Sequence, residues 1–510
     1  MRVVISTMTF SLWSFLSRIS GFLRDLFLAS FIGTGVISDI FFIALRFPVS
    51  FKISFSEETL NSAFIPIYGK LSDSDREEKR HQFTRKILIS LLFIFIPLTI
   101  IVELFMPNIM SLIAPGINSS EEVELLIQVS RIIFPYLLLI IVCTVLVGSL
   151  NADNKFAIGA GLPIIINFSL IGAVLSFPFF GESKIIFLSW SVILAGFIQV
   201  FCLFKSVEKS FWRNFFKLDR DFSEVKKFFK LLWPTFSANG LIQINLLFGL
   251  FIASFESGAV SYLYYAERVY NLPLVLVGIA IGTVLLPSLS NSLRNDKSNE
   301  AIAINNEAFK YTCLSIFPIT AILIGLGTEI ISILFERGEF DEISTMQTSK
   351  ALRLYLIGLP ALTLIRILNA YFYAIESPKK VLKVTIISVA INLLLVIILF
   401  NNFGYLSIPL SLSIASWINV VLLINEHKKS RFFLITKSLR QYFIKYLLFS
   451  ILIFISLYLI NFFNSSAYND VAFLLTKITL VFFVYIIFLY FFDKELIKKA
   501  QSLFVDNSMR

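Results

Sequence analysis

Three charged residues, Arg18, Arg24 and Asp25, stand inside the first long apolar stretch of the chain. On a helix, Ser17, Gly21 and Arg24 fall at i, i+4 and i+7 on one stripe, and Arg18 and Asp25 form the neighbouring stripe. Charges at membrane depth persist where they line a cavity or meet partners. Because guanidinium groups bind phosphate oxygens through a planar fork and stay charged at any accessible pH, this segment predicts an anion-binding surface.

The second apolar stretch is also charged. Asp39 and Arg46 are seven residues apart and are followed by Pro48, Lys52 and Glu57. A helix facing lipid does not carry this density of charge, so we predict that the stretch lines water. Pro48 removes a backbone hydrogen bond, which predicts a kink at that point.

The eighth apolar stretch contributes Glu267, Arg268 and Asn271 ahead of Pro273. Cations outnumber anions across the three stretches: Arg18, Arg24, Arg46, Lys52 and Arg268 against Asp25, Asp39 and Glu267, with Glu57 at the predicted cytoplasmic rim. We therefore predict one aqueous cavity whose positive excess an anionic substrate balances. The alternative is that the arginines only close ion pairs that fix helix packing.

The acidic residues Asp25 and Asp39 are expected to orient arginines, with a role in ion coupling as the alternative. The tyrosines at 262, 264 and 265 are expected to be belt or packing residues.

The elements that carry these residues are apolar runs long enough to cross a bilayer. Apolar residues make up 57% of the 510 positions, and 56 are phenylalanine. Runs of about 18 to 25 residues recur along the chain, and we count about fourteen. The sequence therefore predicts an all-α polytopic membrane protein. No cleavable signal peptide is predicted, because charges interrupt the first run.

The positions of lysine and arginine predict the orientation. The connection after the second run is basic, whereas residues 114–130 contain no lysine or arginine. The segment 205–230 and the connection after the twelfth run are basic again, so these face the cytoplasm, as do both termini. The net charge of +10 is assigned to this signature and to anionic headgroups, and no nucleic acid is expected as a partner.

Two fragments recur at a spacing near 220 residues, residues 35–42 with 258–265 and 150–152 with 368–370. Such repetition in a transporter indicates two bundles built from duplicated helices. The predicted organisation has four parts: residues 1–206 (helices 1–6), 207–230 (a basic cytoplasmic linker), 231–427 (helices 7–12) and 428–510 (helices 13–14 and a basic tail).

Residues suited to covalent or metal chemistry are few. Cys143, Cys202 and Cys313 lie in apolar runs at unrelated spacings, and the two histidines, His81 and His427, are placed in basic loops. No phosphate-binding GxxxxGK[ST] loop is present. The sequence therefore predicts no cofactor, no metal site and no enzymatic reaction.

Several motifs together resemble a known family. They are Ser17-Arg18-x-x-Gly21-x-x-Arg24-Asp25, Asp39-x-Phe41-Phe42, Ala63-Phe64-x-Pro66, Tyr264-Tyr265-Ala266-Glu267-Arg268 and the run from Gly282 to Ser290. The chain resembles, over nearly its whole length, the MurJ (MviN) lipid II flippases of the bacterial cytoplasmic membrane. That family belongs to the multidrug/oligosaccharidyl-lipid/polysaccharide exporter superfamily. The resemblance implies two pseudo-symmetric six-helix lobes in a V around a cationic cavity, plus two C-terminal helices that form a groove for a lipid tail.

The resemblance also implies a set of cavity charges. They are Arg18, Arg24, Asp39, Arg268 and a helix-two arginine where this chain has Lys52, with Asp25, Arg46 and Glu57 on further charged positions. Lys52 keeps the charge and loses the bidentate fork. The implied activity is flipping of undecaprenyl-pyrophosphate-linked lipid II to the periplasmic leaflet by alternating access. Lipid II, membrane lipids and cell-wall synthesis proteins are the implied partners. Membrane potential, sodium and protons stay open as energy sources.

Four other functions are the alternatives. A flippase for another undecaprenyl-linked oligosaccharide shares the fold and the cavity. A non-transporting partner in cell-wall assembly tolerates neutral replacements of Arg24 and Arg268. A drug or cation antiporter calls for a cavity dominated by carboxylates, and an enzyme acting on a polyprenyl phosphate calls for an Asp-rich metal site or a catalytic His/Asp pair, neither of which the sequence shows.

Overall fold

The structure, a computed structural model, describes most of the chain as α-helix. The described residues are 2–54, 57–71, 76–179, 184–213, 215, 219–280, 285–295, 297–428, 437–463 and 471–492. Outside the helices, this part of the chain contains short 3-10 turns at Phe177–Phe179 and Gly404–Leu406 and an isolated β-bridge between Arg337 and Phe340. The predicted all-α class is confirmed for this part of the chain.

The helices follow one another in chain order. They are α1 (Arg2–Ile32), α2 (Val36–Ser54), α3 (Glu57–Tyr68), α4 (Arg76–Leu104), α5 (Met106–Ile113), α6 (Ser120–Ile133), α7 (Tyr136–Ala152), α8 (Phe156–Leu175), α9 (Lys184–Ser206), α10 (Lys209–Arg213), α11 (Ser223–Ala253), α12 (Ala259–Ala280), α13 (Leu286–Arg294), α14 (Ser298–Gly325), α15 (Gly327–Phe335), α16 (Glu342–Ala374), α17 (Pro378–Phe403), α18 (Ser407–Lys428), α19 (Lys437–Phe463) and α20 (Val471–Phe492).

Eight helical stretches of the described residues are long and apolar enough to cross a membrane, judged by length and composition. Their outward side chains are apolar: Phe93 is 81% exposed and Leu104 is 69% exposed, as suits contact with lipid. The chain is therefore an integral membrane protein. The helices that carry the predicted site, α1, α2 and α12, are not among these eight stretches. The count of fourteen spans stays a prediction.

Contacts between Cα atoms divide the chain into two compact units. Unit one comprises Met1–Arg268, Arg337–Ser344 and Val389–Ser411, and unit two comprises Val269–Glu336, Thr345–Ser388 and Leu412–Arg510. The predicted linker, residues 207–230, holds the short helix α10 and the start of α11. The four-part division drawn from the sequence stays a prediction.

Small residues allow close helix packing in unit one. A Cβ added to Gly159 of α8 would lie 2.6 Å from a methyl carbon of Val147 in α7, and one added to Gly196 of α9 would lie 2.7 Å from Leu139. Such close approach without side-chain bulk is typical of membrane helix pairs. Helix α1 packs along α8, and α2 packs against α6 and α11. Because α7 contacts both α2 and α8, the charged helices α1 and α2 lie in one bundle.

The end of α1 is set by a glycine. Gly33 has φ +59°, a conformation that L side chains rarely adopt, and its N–H closes on the carbonyl of Ala29 at 3.0 Å. A Cβ at Gly33 would also lie 2.2 Å from the carbonyl oxygen of Glu339. The N–H of Glu339 in turn donates to the carbonyl of Ser30 at 2.9 Å. Backbone contacts therefore hold the segment Arg337–Ser344 against this end of α1.

Unit two has its own core between α14, α15, α19 and α20. Buried Leu326, Phe449, Ile453 and Leu457 pack together in it, and the rings of Phe449 and Phe488 stack with centroids 3.7 Å apart. An ion pair, Lys477 Nζ to Glu329 Oε1 at 3.3 Å, lies in the same unit with both side chains nearly fully buried. Apolar stacking and this ion pair join α20 to the rest of unit two.

Candidate functional site: a charged cavity in unit one

Seven helices of unit one, α1, α2, α7, α8, α9, α11 and α12, surround a cavity of about 390 Å³. Its volume lies within the range of ligand pockets, about 300 to 1,000 Å³. The charged residues that line it are Arg24, Arg46, Glu267 and Arg268. Polar side chains between them include Tyr136, Asn167, Gln199 and Gln243. One predicted arginine from each of the first, second and eighth apolar stretches, Arg24, Arg46 and Arg268, thus lines the same cavity.

Four residues form what we call the Asp25 cluster: Arg24, Asp25, Tyr264 and Arg268. Nε and Nη2 of Arg24 donate to Oδ1 of Asp25 at 3.0 and 2.7 Å. The Tyr264 hydroxyl donates to the same oxygen at 2.8 Å, and Nε of Arg268 lies 3.1 Å from Oδ2. The Asp25 side chain is only 3% exposed. One buried carboxylate therefore orients two arginines that are far apart in the sequence.

The Tyr264 hydroxyl connects the two arginines of the Asp25 cluster. It accepts a hydrogen bond from Nη2 of Arg24 at 3.1 Å and one from Nη2 of Arg268 at 2.8 Å. The Arg268 guanidinium also lies over the Tyr264 ring, 4.5 Å from its centroid. The ring itself stacks on Phe42 of α2 at 3.9 Å. Tyr264 is therefore a packing residue, as expected, and its hydroxyl also has a polar role that the sequence did not predict.

The guanidinium group of Arg268 has N–H donors that are available to a ligand. The side chain of Arg268 is 41% exposed. Within the described part of the chain, its Nη2 donates to Tyr264, its Nε forms an ion pair with Asp25 without a hydrogen bond, and its Nη1 makes no hydrogen bond. A fixed guanidinium with a free edge facing a cavity is suited to bind an anionic oxygen.

Asn167 of α8 fixes the position of Arg24 by a hydrogen bond. Its Oδ1 accepts from Nη1 of Arg24 at 3.0 Å, and its Nδ2 donates to the Ser20 hydroxyl at 2.9 Å and to the Ser17 carbonyl at 3.3 Å. Arg24 therefore has its fork fixed by α1, α8 and α12 together. Sequence reasoning did not find Asn167, because its partners lie almost 150 positions away in the chain.

Arg46 of α2 is paired within the cavity wall. Its Nη2 donates to Oε2 of Glu267 at 2.6 Å, and its guanidinium carbon lies 5.5 Å from the centroid of the Tyr264 ring. The side chains of Arg46 and Glu267 are 17% and 30% exposed. The described part of the site therefore holds three arginines against two carboxylates, Asp25 and Glu267, a smaller positive excess than the sequence predicted.

Asp39 binds the start of α12 and no arginine of the cavity. Its Oδ2 accepts from the Gly258 N–H at 2.7 Å, and its Oδ1 accepts from the N–H and the hydroxyl of Ser261 at 2.8 and 2.7 Å. These donors are orphan groups at the N-terminus of α12. Asp39 was expected to orient arginines; it is instead a cap for α12, and it lies outside the lining of the cavity.

The other predicted site residues are not part of this arrangement. Arg18 is exposed on α1, and the described cavity lining does not include it. Lys52 and Glu57 lie on the helical backbone of α2 and α3, and their side chains fall outside the described residues. Their predicted roles in the cavity stay predictions.

Away from the cavity, folding brings together a group that the sequence did not reveal. Ligand atoms of Glu77, His81 and Glu208 lie within 4.8 Å of one another. His81 lies in α4, not in a loop, and is buried, whereas both glutamates are exposed. The spacing Glu77 to His81 is a helical i, i+4 pair, but Glu208 is too distant in the chain for any spacing rule to find it.

Comparison with known proteins gives the family. The family model described as "Lipid II flippase MurJ" matches residues 28–481. A protein of Rhizobium meliloti named "Probable lipid II flippase MurJ" is 36% identical over 413 residues, which are 80% of this chain and 77% of the relative. One of Rickettsia prowazekii with the same name is 33% identical over 436 residues, 85% of this chain and 86% of the relative.

Solved structures agree with this result. A structure described as "Lipid II flippase MurJ, inward closed conformation" matches with a TM-score of 0.82 and 29% identity, covering 96% of this chain and all of the other. An inward-facing multidrug resistance transporter of the MATE family has a TM-score of 0.67 at 14% identity, covering 79% of this chain and 92% of the other. At this identity, the similarity to the MATE transporter shows a shared fold only.

Proposed function

Because the chain belongs to the MurJ family of lipid II flippases, we propose that it moves lipid II across the bacterial cytoplasmic membrane. The transported molecule is the undecaprenyl-pyrophosphate-linked precursor of peptidoglycan. Its headgroup passes from the cytoplasmic to the periplasmic leaflet by alternating access, with no covalent step. The observation that supports this most is the Asp25 cluster, where a buried carboxylate and a tyrosine hydroxyl hold two arginines at a cavity.

The pyrophosphate is the part of the substrate that needs the cluster. Transfer of phosphate charges out of water costs many kcal/mol unless they are paired and hydrogen-bonded. The open Nη1 edge of Arg268 and the one Nη1 N–H of Arg24 that does not bind Asn167 offer such partners. Because Asp25 and Tyr264 already hold both guanidinium groups, little rotamer entropy is lost when the anion binds.

The remaining charges have supporting roles in this proposal. Arg46 is neutralised by Glu267 and shapes the cavity wall, with one edge towards the substrate. Asp39 fixes the start of α12 and so the position of Tyr264 and Arg268. Arg18, Lys52 and Glu57 belong to the entrance, where they meet the anionic headgroup before it reaches the Asp25 cluster.

At the level of architecture, we propose two six-helix lobes in a V around a cationic cavity, with both termini in the cytoplasm. The last two helices hold the undecaprenyl tail in lipid while the headgroup crosses. Return of the empty cationic cavity is favoured by membrane potential, since each charge that crosses 100 mV contributes about 2.3 kcal/mol. Sodium or proton coupling is the alternative.

The proposal is tested by depletion of the native flippase in a bacterial host and rescue with this chain. Wild type, Arg24→Ala and Arg268→Ala are compared at matched membrane levels, with Arg220→Ala as a control at an exposed site in the basic segment before α11. Externally accessible lipid II is measured. We expect rescue by wild type and the control, and loss of accessible lipid II with the other two variants.

The other outcomes assign other functions. If inserted wild type fails to rescue, the substrate is another polyprenyl-linked glycan. If both arginine variants rescue fully, the Asp25 cluster only fixes helix packing, and the chain acts without a cationic transport site.

A further inference from the structure

A second cavity, of about 580 Å³, lies on the surface of unit one between α6 and α9. One wall is polar and is formed by Glu124, Gln128 and Arg131 of α6. These positions are i, i+4 and i+7, so they form one stripe of the helix. The opposite wall has the same spacing in α9, with Ile186, Trp190 and Ile193. A polar stripe therefore faces an apolar stripe across an open groove.

The polar stripe runs from the acidic start of α6 towards an uncharged apolar segment. Helix α6 begins at Ser120, where the Ser119 hydroxyl accepts from the Glu122 N–H at 3.3 Å, and its first turn is acidic. The apolar stretch Ser120–Ala152 contains both charged residues, and its part after Arg131 has no charged residue up to Ala152. Arg131 lies about 10 Å further along the helix axis than Glu124, on the side of this uncharged segment, at 1.5 Å of rise per residue.

Both charges of the stripe are exposed and open to a ligand. Within the described part of the chain, neither Glu124 nor Arg131 has an ion-pair partner within 4 Å, although the Glu103 carboxylate of α4 acts on Arg131 from a greater distance. An anion near the hydrocarbon and a cation nearer water would satisfy both charges. A phospholipid with an amine headgroup has this order, with the phosphate next to the glycerol and the ammonium at the outer end.

We propose that this groove binds a zwitterionic aminophospholipid of the phosphatidylethanolamine class. Arg131 binds its phosphate, Glu124 accepts from its ammonium group, and Gln128 donates to the oxygens between them. An acyl chain lies along Ile186, Trp190 and Ile193, where the tryptophan suits the boundary between headgroup and hydrocarbon. Phosphatidylglycerol lacks the ammonium and meets the Glu124 charge unfavourably. Phosphatidylcholine has no N–H to donate.

The test is lipid retention by the purified, delipidated full-length protein in detergent. It is incubated with equal amounts of phosphatidylethanolamine, phosphatidylglycerol and phosphatidylcholine with identical acyl chains, and bound lipid is counted by native mass spectrometry. We expect phosphatidylethanolamine to be preferred about fivefold over phosphatidylglycerol, the ratio that about 1 kcal/mol from an exposed ion pair gives. We expect a similar ratio over phosphatidylcholine, which keeps the positive charge but loses the hydrogen bond to Glu124, also about 1 kcal/mol. Glu124→Gln is expected to abolish the preference, and Arg131→Gln to reduce retention of all three lipids.

Glu121→Gln is the matched control, because Glu121 is exposed on the same helix and does not line the groove. It is expected to keep the preference. Equal retention of the three lipids by wild type overturns the proposal, as does an equal effect of the variants at 121 and 124. Since lipid II is absent from this assay, failure here leaves the proposed flipping activity untouched.

Discussion

At the residue scale, the site depends on one tyrosine hydroxyl and one carboxylate. Arg24 and Arg268 are separated by 244 positions, yet both bind Tyr264 and Asp25. The sequence predicted the arginines and the aspartate, because charges within apolar runs are conspicuous. It did not predict Tyr264, since a tyrosine beside two other aromatic residues is indistinguishable from a packing residue until its partners are known. Its position one helical turn before Arg268 was the available signal.

Replacement of Tyr264 by phenylalanine tests this hydroxyl. The ring and its stacking on Phe42 stay, while the bonds to Arg24, Asp25 and Arg268 are lost. Hydrogen bonds to charged groups contribute about 1.5 to 3 kcal/mol, so we expect flipping to fall at least about tenfold. The measurement is the initial rate at which lipid II becomes externally accessible, at matched protein levels.

Tyr265→Phe is the control for that variant. Tyr265 is buried next to Tyr264, and its ring packs edge-on against Phe42 and Phe340 with centroids 5.8 and 5.3 Å away. The flipping rate of Tyr265→Phe is expected to match that of wild type. Equal rates for the two variants would remove the Tyr264 hydroxyl from the mechanism.

The Arg46–Glu267 pair gives a second prediction. Arg46→Glu places two carboxylates together and is expected to lower the flipping rate at least about tenfold, since like charges at contact distance repel. The double exchange Arg46→Glu with Glu267→Arg restores an ion pair and is expected to recover the rate to within about threefold, as measured in the same accessibility assay. A double variant as inactive as the single one would show that position 46 itself needs a positive charge.

At the element scale, the start of α12 depends on a carboxylate from α2. Asp39 satisfies two backbone N–H groups and the Ser261 hydroxyl there. Helices α2 and α12 were both predicted from the sequence, and α2 continues through Pro48 as one assigned helix. The contact between them was not predicted, because residues 219 positions apart give no local pattern. Tertiary contact alone decides that Asp39 is a cap, not a partner for arginine.

Loss of this cap is expected to destabilise the protein. Asp39→Ala leaves buried donors unsatisfied, at a cost of about 1 to 3 kcal/mol, so the thermal midpoint in detergent should fall by several degrees. Asp39→Asn keeps one acceptor oxygen, so its thermal midpoint should fall by less than that of Asp39→Ala. A midpoint unchanged in the alanine variant would contradict the capping role.

At the scale of the whole molecule, composition was the strongest guide. The apolar composition and the apolar runs predicted an all-α integral membrane protein, and the helical structure and the apolar surface agree. The lysine and arginine distribution predicted the orientation, which stays a prediction. The number by which arginines exceed carboxylates at the cavity could not be predicted from the sequence. Whether Arg18 faces the cavity, and which arginine Glu267 neutralises, depends on helix rotation and packing, which hydropathy does not report.

The predicted orientation is tested by cysteine labelling. In a background with Cys143, Cys202 and Cys313 replaced by alanine, single cysteines are placed at Glu121 and Arg220, both exposed. A membrane-impermeant maleimide should label position 121 in intact cells and position 220 only after permeabilisation. The reverse pattern would invert the topology and the direction of transport.

The most direct test of the central claim is flipping by the purified protein in proteoliposomes, followed through the accessibility of the lipid II headgroup to an external probe. We predict that wild type accelerates transfer over protein-free vesicles and that Arg24→Ala and Arg268→Ala, reconstituted at equal density, do not. Transfer by the two variants at the wild-type rate would contradict the assignment of the Asp25 cluster as the transport site.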